Sequence, residues 1–309
     1  RTHLQLPWHK VAMGPVIRKP THAGSWYEKS EEVLAGQLDH WLNRALKDKS
    51  DGSAELGRCR AIIAPHAGYS YSGRCAAYAY KAVQAQGVKR VFLLGPSHHH
   101  FTRKCALSRC HAYDSPMGQV QVDSDVYTAL KATGQFEDMS QDVDEEEHSL
   151  EMHLPYIVRV MRGHDFTLVP IMVGSLSPAS EEKYGKLLAE YMDDPENLFV
   201  ISSDFCHWGQ RFSFTFYDKK CGQVHQSIEA LDRAGMRLIE AKDPRGFQEY
   251  LAQYNNTICG RHPIGVLLCI LSSCNSQFSI KFVQYEQSSQ CTCMADSSVS
   301  YASAIVSAN

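Results

Sequence analysis

Val91-Phe92-Leu93-Leu94-Gly95-Pro96-Ser97-His98-His99-His100 sets four apolar residues, a Gly-Pro stop and three imidazoles in one line. The apolar run has no polar alternation, so it reads as a strand buried on both faces, the habit of parallel sheets. The same form recurs on either side. Ala61-Ile62-Ile63-Ala64 is broken by Pro65, Phe166 to Val173 ends at Gly174, and Leu198 to Ile201 ends in Ser202-Ser203-Asp204. Helical patterns separate the runs at 148–162, 180–192 and 222–241. Earlier ones cover Ser30 to Leu46, with Leu34, Leu38, Trp41, Leu42 and Leu46 on one face, and 74–86. Late strands are expected at 278–285 and 298–306. Strands alternating with helices predict an α/β protein with a mostly parallel sheet between helix layers.

No Pro/Ser-rich linker divides the chain, and the polar stretch Lys47 to Gly57 is the main break, so one domain is expected over 21–309. Residues 1–20 read as an N-terminal extension. Residues 1–12, RTHLQLPWHKVA, lack the apolar core of a signal peptide. Met13 reads as a natural start, which leaves the residues before it as upstream or added sequence. A chain of 309 residues with 44% hydrophobic and 21% charged residues buries a large core unaided. Its formal charge of −3 is interspersed, with no clustered basic face for nucleic acid. No run reaches the length of a membrane span. The longest acidic run, Asp142 to Glu147, reads as a solvated helix start. The 11 cysteines are scattered, without a CxxC pair, which argues for reduced thiols in the cytoplasm rather than a disulfide framework, zinc ribbon or thioredoxin motif.

Chemistry collects where the buried runs end. Pro65-His66-Ala67-Gly68-Tyr69 follows the first, Gly95-Pro96-Ser97-His98 the second, and Ser203-Asp204-Phe205-Cys206-His207 the fourth. Ligands in open α/β sheets bind beyond the carboxyl ends of the strands, so these residues converge on one edge. Imidazoles gathered with a carboxylate suit a first-row metal. Cys259, in Asn256-Thr257-Ile258-Cys259-Gly260-Arg261-His262-Pro263, is a fourth candidate. It stands just ahead of an apolar helix whose first turn holds Pro263, beside Arg261 and His262, and both features favour thiolate. Glu147-His148-Ser149-Leu150-Glu151-Met152-His153 is dense in titratable groups, but its HxxExH spacing is neither HExxH nor HxxEH, which excludes a zincin. Glu147, His148 and Glu151 are expected to orient ligands or close the pocket. His22-Ala23-Gly24-Ser25-Trp26-Tyr27 echoes His66-Ala67-Gly68-Tyr69-Ser70-Tyr71, by chance or as two similar turns facing one pocket.

The segments HAGSWY (22–27), IIAPHAGYSYSG (62–73), GPSHH (95–99), EHSLEMHLPY (147–156), SSDFCHWGQRF (202–212), NTICGRHPIGVLL (256–268) and SSVSYA (297–302) resemble the Memo family, named for mediator of ErbB-receptor-driven cell motility. The resemblance runs from about residue 20 to the end. It implies a fold similar to class III extradiol dioxygenases, with a central mixed sheet between helix layers. It implies that His66 and His98 match the two iron-binding histidines of those enzymes, that Cys259 takes the place of their glutamate, and that His207, with Asp204 in its loop, matches their acid/base histidine. A His/His/Cys set shifts preference toward copper while admitting iron, so enzymatic activity is left open. Trp26, Tyr71 and Arg211 match the family's pocket mouth, where Arg211 would meet a phosphate or carboxylate on a peptide. The expected role is copper or iron binding in redox balance and in receptor tyrosine kinase signalling to the cytoskeleton and cell motility, in the cytoplasm with the nucleus as a second compartment. The alternatives are an active non-haem dioxygenase or oxidoreductase, and a metal-free adaptor for phosphotyrosine peptides.

Overall fold

The apolar runs at 61–64, 91–94, 166–173 and 198–201 lie side by side in one sheet of the computed structural model, which describes residues 14–48 and 56–308. In chain order the strands are β1 (Ile17–Arg18), β2 (Cys59–Ala64), β3 (Arg90–Pro96), β4 (Cys105–Ser108), β5 (Ala112–Tyr113), β6 (Val120–Gln121), β7 (Glu137–Met139), β8 (Thr167–Val173), β9 (Asn197–Ser202), β10 (His207–Trp208), β11 (Phe278–Gln287) and β12 (Ser298–Ala308). The helices are α1 (Glu31–Lys47), α2 (Tyr69–Tyr80), α3 (Ser124–Ala132), α4 (Gln141–Glu146), α5 (His148–Glu151), α6 (Leu154–Val160), α7 (Pro178–Asp193), α8 (Val224–Glu240), α9 (Pro244–Tyr254) and α10 (Arg261–Ser273).

The main sheet runs β10-β12-β2-β9-β3-β8-β4-β7, with β11 paired to β12. Strands β2, β9, β3 and β8 are mutually parallel, and the flanking pairings β12–β2, β11–β12 and β4–β8 are antiparallel. The fold is therefore the expected mixed α/β sheet in a single domain. Side chains alternate between faces along each strand. Ile63, Phe92, Leu94, Ile171 and Ile201 join the core under α7, α8 and α10, while Ile62, Leu93, Met172 and Val200 join the core under α1, α2 and α6. Register aligns the strand ends: Ala64 stands against Ser202, Leu94 against Ile201, and Pro96 against Val173. The segments carrying His66, His98 and Asp204 thus leave the sheet at one edge. Because β12 runs the other way, its first residues pass the end of β2 and pair with β10, His207 opposite Val299.

Several expectations change in detail. The helix read over 148–162 is two helices, α5 and α6, because Pro155 has no N–H and its ring clashes with a preceding helical turn. The helix read over 74–86 begins at Tyr69, on an N-cap Gly68, and ends at Tyr80. Leu46 is 58% exposed, since twelve residues beyond Leu34 a helix has turned about 120° off that face. The acidic run is not a solvated helix start: Asp144 and Glu147 are buried. Asp144 pairs with Arg18 Nε at 3.2 Å, and Arg18 Nη1 donates to Glu151 Oε2 at 2.6 Å. Arg18 is fully buried, so the packed chain reaches back ahead of the 20/21 boundary. Met13, residues 1–12 and most of the polar link, 49–55, lie outside the described residues.

Candidate metal centre

His66, His98 and His207 are each anchored by one ring nitrogen. Past β2, the His66 backbone N–H donates to Asp204 Oδ1 at 2.9 Å, which ties the turn to the exit of β9. His66 Nδ1 lies 2.6 Å from Ser202 Oγ, and Ser202 donates its one hydroxyl proton to the Ser149 carbonyl at 2.7 Å. Ser202 must therefore accept from His66, which assigns the proton to Nδ1 and leaves the Nε2 lone pair free. His98 Nδ1 lies 2.8 Å from Glu147 Oε1, whose other oxygen accepts from the His98 backbone N–H at 2.6 Å. A carboxylate accepts only, so His98 also offers Nε2. His207 Nδ1 donates to the carbonyls of Phe205 and Thr257 at 2.9 and 3.1 Å, with the same result.

Cys259 reaches this edge because Gly260, the N-cap of α10, packs against β9. A Cβ there would stand 2.3 Å from Ser203 Cβ and 2.4 Å from the Ser202 carbonyl oxygen. Cys259 Sγ lies 3.1 Å from His66 Nε2 and accepts from the Asp204 backbone N–H at 3.2 Å. One donor atom each from His66, His98 and Cys259 falls within 4.8 Å of the others. Two ligands bonded at about 2.0–2.3 Å to one ion stand about 3.3–4 Å apart, so small side-chain adjustments close the set. The His66 and His98 ring centres are 5.2 Å apart.

Electrostatics keeps His66 and His148 neutral. Burial, then the neighbouring His98 and His148, holds His66 well below its usual value. Burial likewise lowers His148, to about 3. Burial works against ionised Glu147, but the side-chain and backbone hydrogen bonds it accepts from His98 prevail and hold it at about 2. The thiolate expectation is corrected. Burial, reinforced by the Asp204 charge, pushes the Cys259 thiol well above its usual value. The expected cations face elsewhere, for His262 is paired with Glu181 at 2.7 Å and Arg261 is exposed. Without an ion the proton stays between Sγ and His66 Nε2; with one, a coordinating thiol is deprotonated.

The remaining candidates divide. Asp204 is buried and committed to the backbone N–H groups of His66 and Ala67. Asp204 and His207 are outside the group of converging donor atoms. Trp26, Tyr71 and Arg211 line one cavity of about 410 Å³ with Gly68, Ser288 and Tyr301. Arg211 lies 4.4 Å over the Phe212 ring. The two HAG turns face this cavity together, joined by Tyr69 N–H donating to the Trp26 carbonyl at 2.9 Å. Glu147 holds His98 directly and His148 stacks on it, whereas Glu151 anchors the Trp26 turn through His22 Nδ1 at 2.8 Å and Tyr27 OH at 2.8 Å. Ser202, Ser149 and Thr257 escaped the sequence reading. Only the position of Ser202 at a buried strand end hinted at its part.

An α/β fold with a two-histidine, one-cysteine centre at the carboxyl edge of its sheet is the class these observations define. The pattern of the Memo-like protein family matches residues 18–305, and the chain belongs to the Memo family. It is 52% identical to Protein MEMO1 of Xenopus laevis over 292 residues, 93% of this chain and 96% of that one. It is 44% identical to Protein memo-1 homolog of Caenorhabditis elegans, across 95% of this chain and 83% of that one. A crystal structure of uncharacterized protein JW3007 from Escherichia coli K12 is a distant likeness, with 12% identity and a TM-score of 0.44 over 79% of this chain and 99% of that one. No helix among the described residues is long and apolar enough to cross a membrane.

Proposed function

We propose that the protein binds one copper or iron ion through His66, His98 and Cys259, and that it works in the cytoplasm in redox balance and in receptor tyrosine kinase signalling to the cytoskeleton and cell motility. The observation that carries the metal reading is the convergence of three donor atoms, two of them imidazole Nε2 lone pairs freed by anchored Nδ1 atoms. Thiolate with two imidazoles is a soft set that suits Cu(I) and admits iron. When bound, such an ion supplies a one-electron redox couple. The chain's own groups bind and orient. Ser202 and Glu147 fix the rings, Asp204 fixes the turn carrying His66, and His207 holds a free Nε2 able to take or give a proton.

A second reading has its own support. Arg211 lines the neighbouring cavity with Trp26 and Tyr71 and has no carboxylate partner among the described residues, which suits a phosphotyrosine peptide. Under that reading the protein is an adaptor and any ion is incidental. Ring-cleaving dioxygenase activity is the third outcome, weakened by the absence of a carboxylate from the His66/His98/Cys259 set.

Reducing, anaerobic purification followed by metal analysis and Cu(I) titration separates these readings. One ion per chain is expected, with Cys259→Ser weakening Cu(I) binding about a hundredfold, ~2.7 kcal/mol. No metal in the wild-type protein overturns the proposal in favour of the adaptor, and oxygen uptake with a catechol restores the enzyme.

A further inference from the structure

Asp232 of α8 is fully buried and is unused by the centre above. Its Oδ1 accepts two hydrogen bonds, from the Cys206 backbone N–H at 3.3 Å and from Asn256 Nδ2 at 2.9 Å. Its Oδ2 accepts from Tyr285 OH at 2.9 Å. Burial pushes this carboxyl up, to about 6, against the hydrogen bonds from Asn256, Ser300, Tyr285 and Cys206 that favour its charge. An ionised carboxylate only accepts, so every donor around it must point inward.

The two donors to Oδ1 stand on different loops. Cys206 belongs to 203–206, between β9 and β10, which leads from Asp204 into His207. Asn256 belongs to 255–260, between α9 and α10, which carries Thr257 and Cys259. The same loops are laced a second time beside the centre. Thr257 Oγ1 accepts from the His207 backbone N–H at 2.7 Å and donates to the His207 carbonyl at 2.9 Å, and the Asp204 backbone N–H reaches Cys259 Sγ at 3.2 Å. Asn256 cannot trade its bonds. Its Nδ2 also donates to Tyr250 OH at 2.8 Å, while its Oδ1 is buried without a partner. An orphaned buried acceptor costs stability. Turning the amide round would set two acceptor oxygens face to face at Asp232, so the carboxylate dictates the orientation seen.

We propose that Asp232 is a positioning residue for the centre, one carboxylate oxygen holding the loop of His207 and the loop of Cys259 in register. His66 and His98 hang instead on Ser202 and Glu147. Loss of Asp232 therefore displaces one metal-binding group of three, Cys259, together with His207. The consequence for metal rests on the His66/His98/Cys259 reading; the consequence for His207 does not.

The test uses the full chain under anaerobic, reducing conditions, with two readouts. Cu(I) affinity, by chelator competition, reports on Cys259. The ¹⁵N spectrum of the His207 ring, assigned by its loss in His207→Gln, reports on that loop without metal. Asp232→Leu, of similar size but with no acceptor, is expected to weaken Cu(I) binding about 10–100-fold and to replace the single Nδ1–H tautomer of His207 with a mixture. Asp232→Asn keeps an oxygen for Cys206 and Asn256 and is expected to restore most of the affinity and the single tautomer. Asn256→Ala, which cuts the Cys259 side alone, serves if Asp232→Leu melts early; it too should weaken Cu(I). Wild-type Cu(I) affinity and a single His207 tautomer in a folded Asp232→Leu, or wild-type Cu(I) affinity in Asn256→Ala, overturns the positioning role. Failure of the wild-type protein to bind Cu(I) sinks the metal reading alone, and the His207 spectrum then decides the part of Asp232.

Discussion

Ser202 has a single hydroxyl proton, and that proton decides which face of His66 is a ligand. It goes to the Ser149 carbonyl, so the oxygen is left to accept from His66 Nδ1. Ser202→Ala removes both bonds. The ring is then free to change tautomer or to turn Nε2 away from Cys259, and the Ser149 carbonyl, a buried acceptor, is left unpaired. Partners that orient a ligand typically contribute 10–100-fold to metal affinity, and an orphaned buried polar group costs about 1–3 kcal/mol. Ser202→Ala is therefore expected to weaken Cu(I) binding about 10–100-fold and to lower the melting temperature. A lower melting temperature with unchanged Cu(I) affinity would make Ser202 a packing residue only.

Strand ends and helix starts meet at the centre through close backbone approaches, and these belong to the elements rather than to any one ligand. Gly260 brings the start of α10 against the end of β9, and Gly95 does the same for β3 against α5, where a Cβ would stand 2.5 Å from Ser149 Oγ. Overpacking costs about 1–3 kcal/mol. Gly260→Ala is expected to cost about that much by urea denaturation and to push Cys259 off the site, so that Cu(I) binding falls with no ligand changed. Wild-type Cu(I) affinity in this variant would show that α10 can shift without moving Cys259. The strand ends were legible because each buried parallel strand is an unbroken apolar run with a Gly, Pro or polar stop, and His66, His98 and Asp204 follow directly. Cys259 was found from its place before Pro263. The small strands β4 to β7, two to four residues each, are too short to show a period. Helix α9 carried signals that could have been read, Asp243 as N-cap with Pro244 behind it. The burial of Asp144 was not legible, because its partner Arg18 lies 126 residues away in sequence and only the folded chain brings the two together.

Across the whole molecule, one buried ionic knot joins the small sheet β1-β5-β6 to the segment that carries Glu147 and His148. Arg18 leaves β1 to meet Asp144 of α4 and Glu151 of α5, Tyr113 of β5 donates to Asp144 at 2.6 Å, and His22 and Tyr27 close on Glu151. A buried pair is weak evidence of net stability, but breaking one by removing a partner costs about 3–5 kcal/mol. Burial alone would raise the Glu151 carboxyl; the His22 hydrogen bond and the Arg18 charge prevail and hold it at about 2, below its ordinary 4.5. A folded-state value depressed in this way contributes stability that is complete above about pH 4.5 and is lost as pH falls toward 2. The difference, 4.5 − 2 = 2.5 units at about 1.36 kcal/mol per unit, is on the order of 3 kcal/mol. Glu151→Gln is therefore expected to lose roughly that stability at pH 7, leaving Arg18 with one carboxylate fewer, and to flatten the decline between about pH 4.5 and pH 2. Urea titrations of wild type and variant at pH 7, 4 and 3 measure both effects. Because Glu151 also anchors the turn bearing Trp26, which covers His148, the variant should expose that imidazole to solvent before the sheet itself unfolds. Equal stability at pH 7 and an unchanged acid slope in Glu151→Gln would mean that the knot is carried by Asp144 alone.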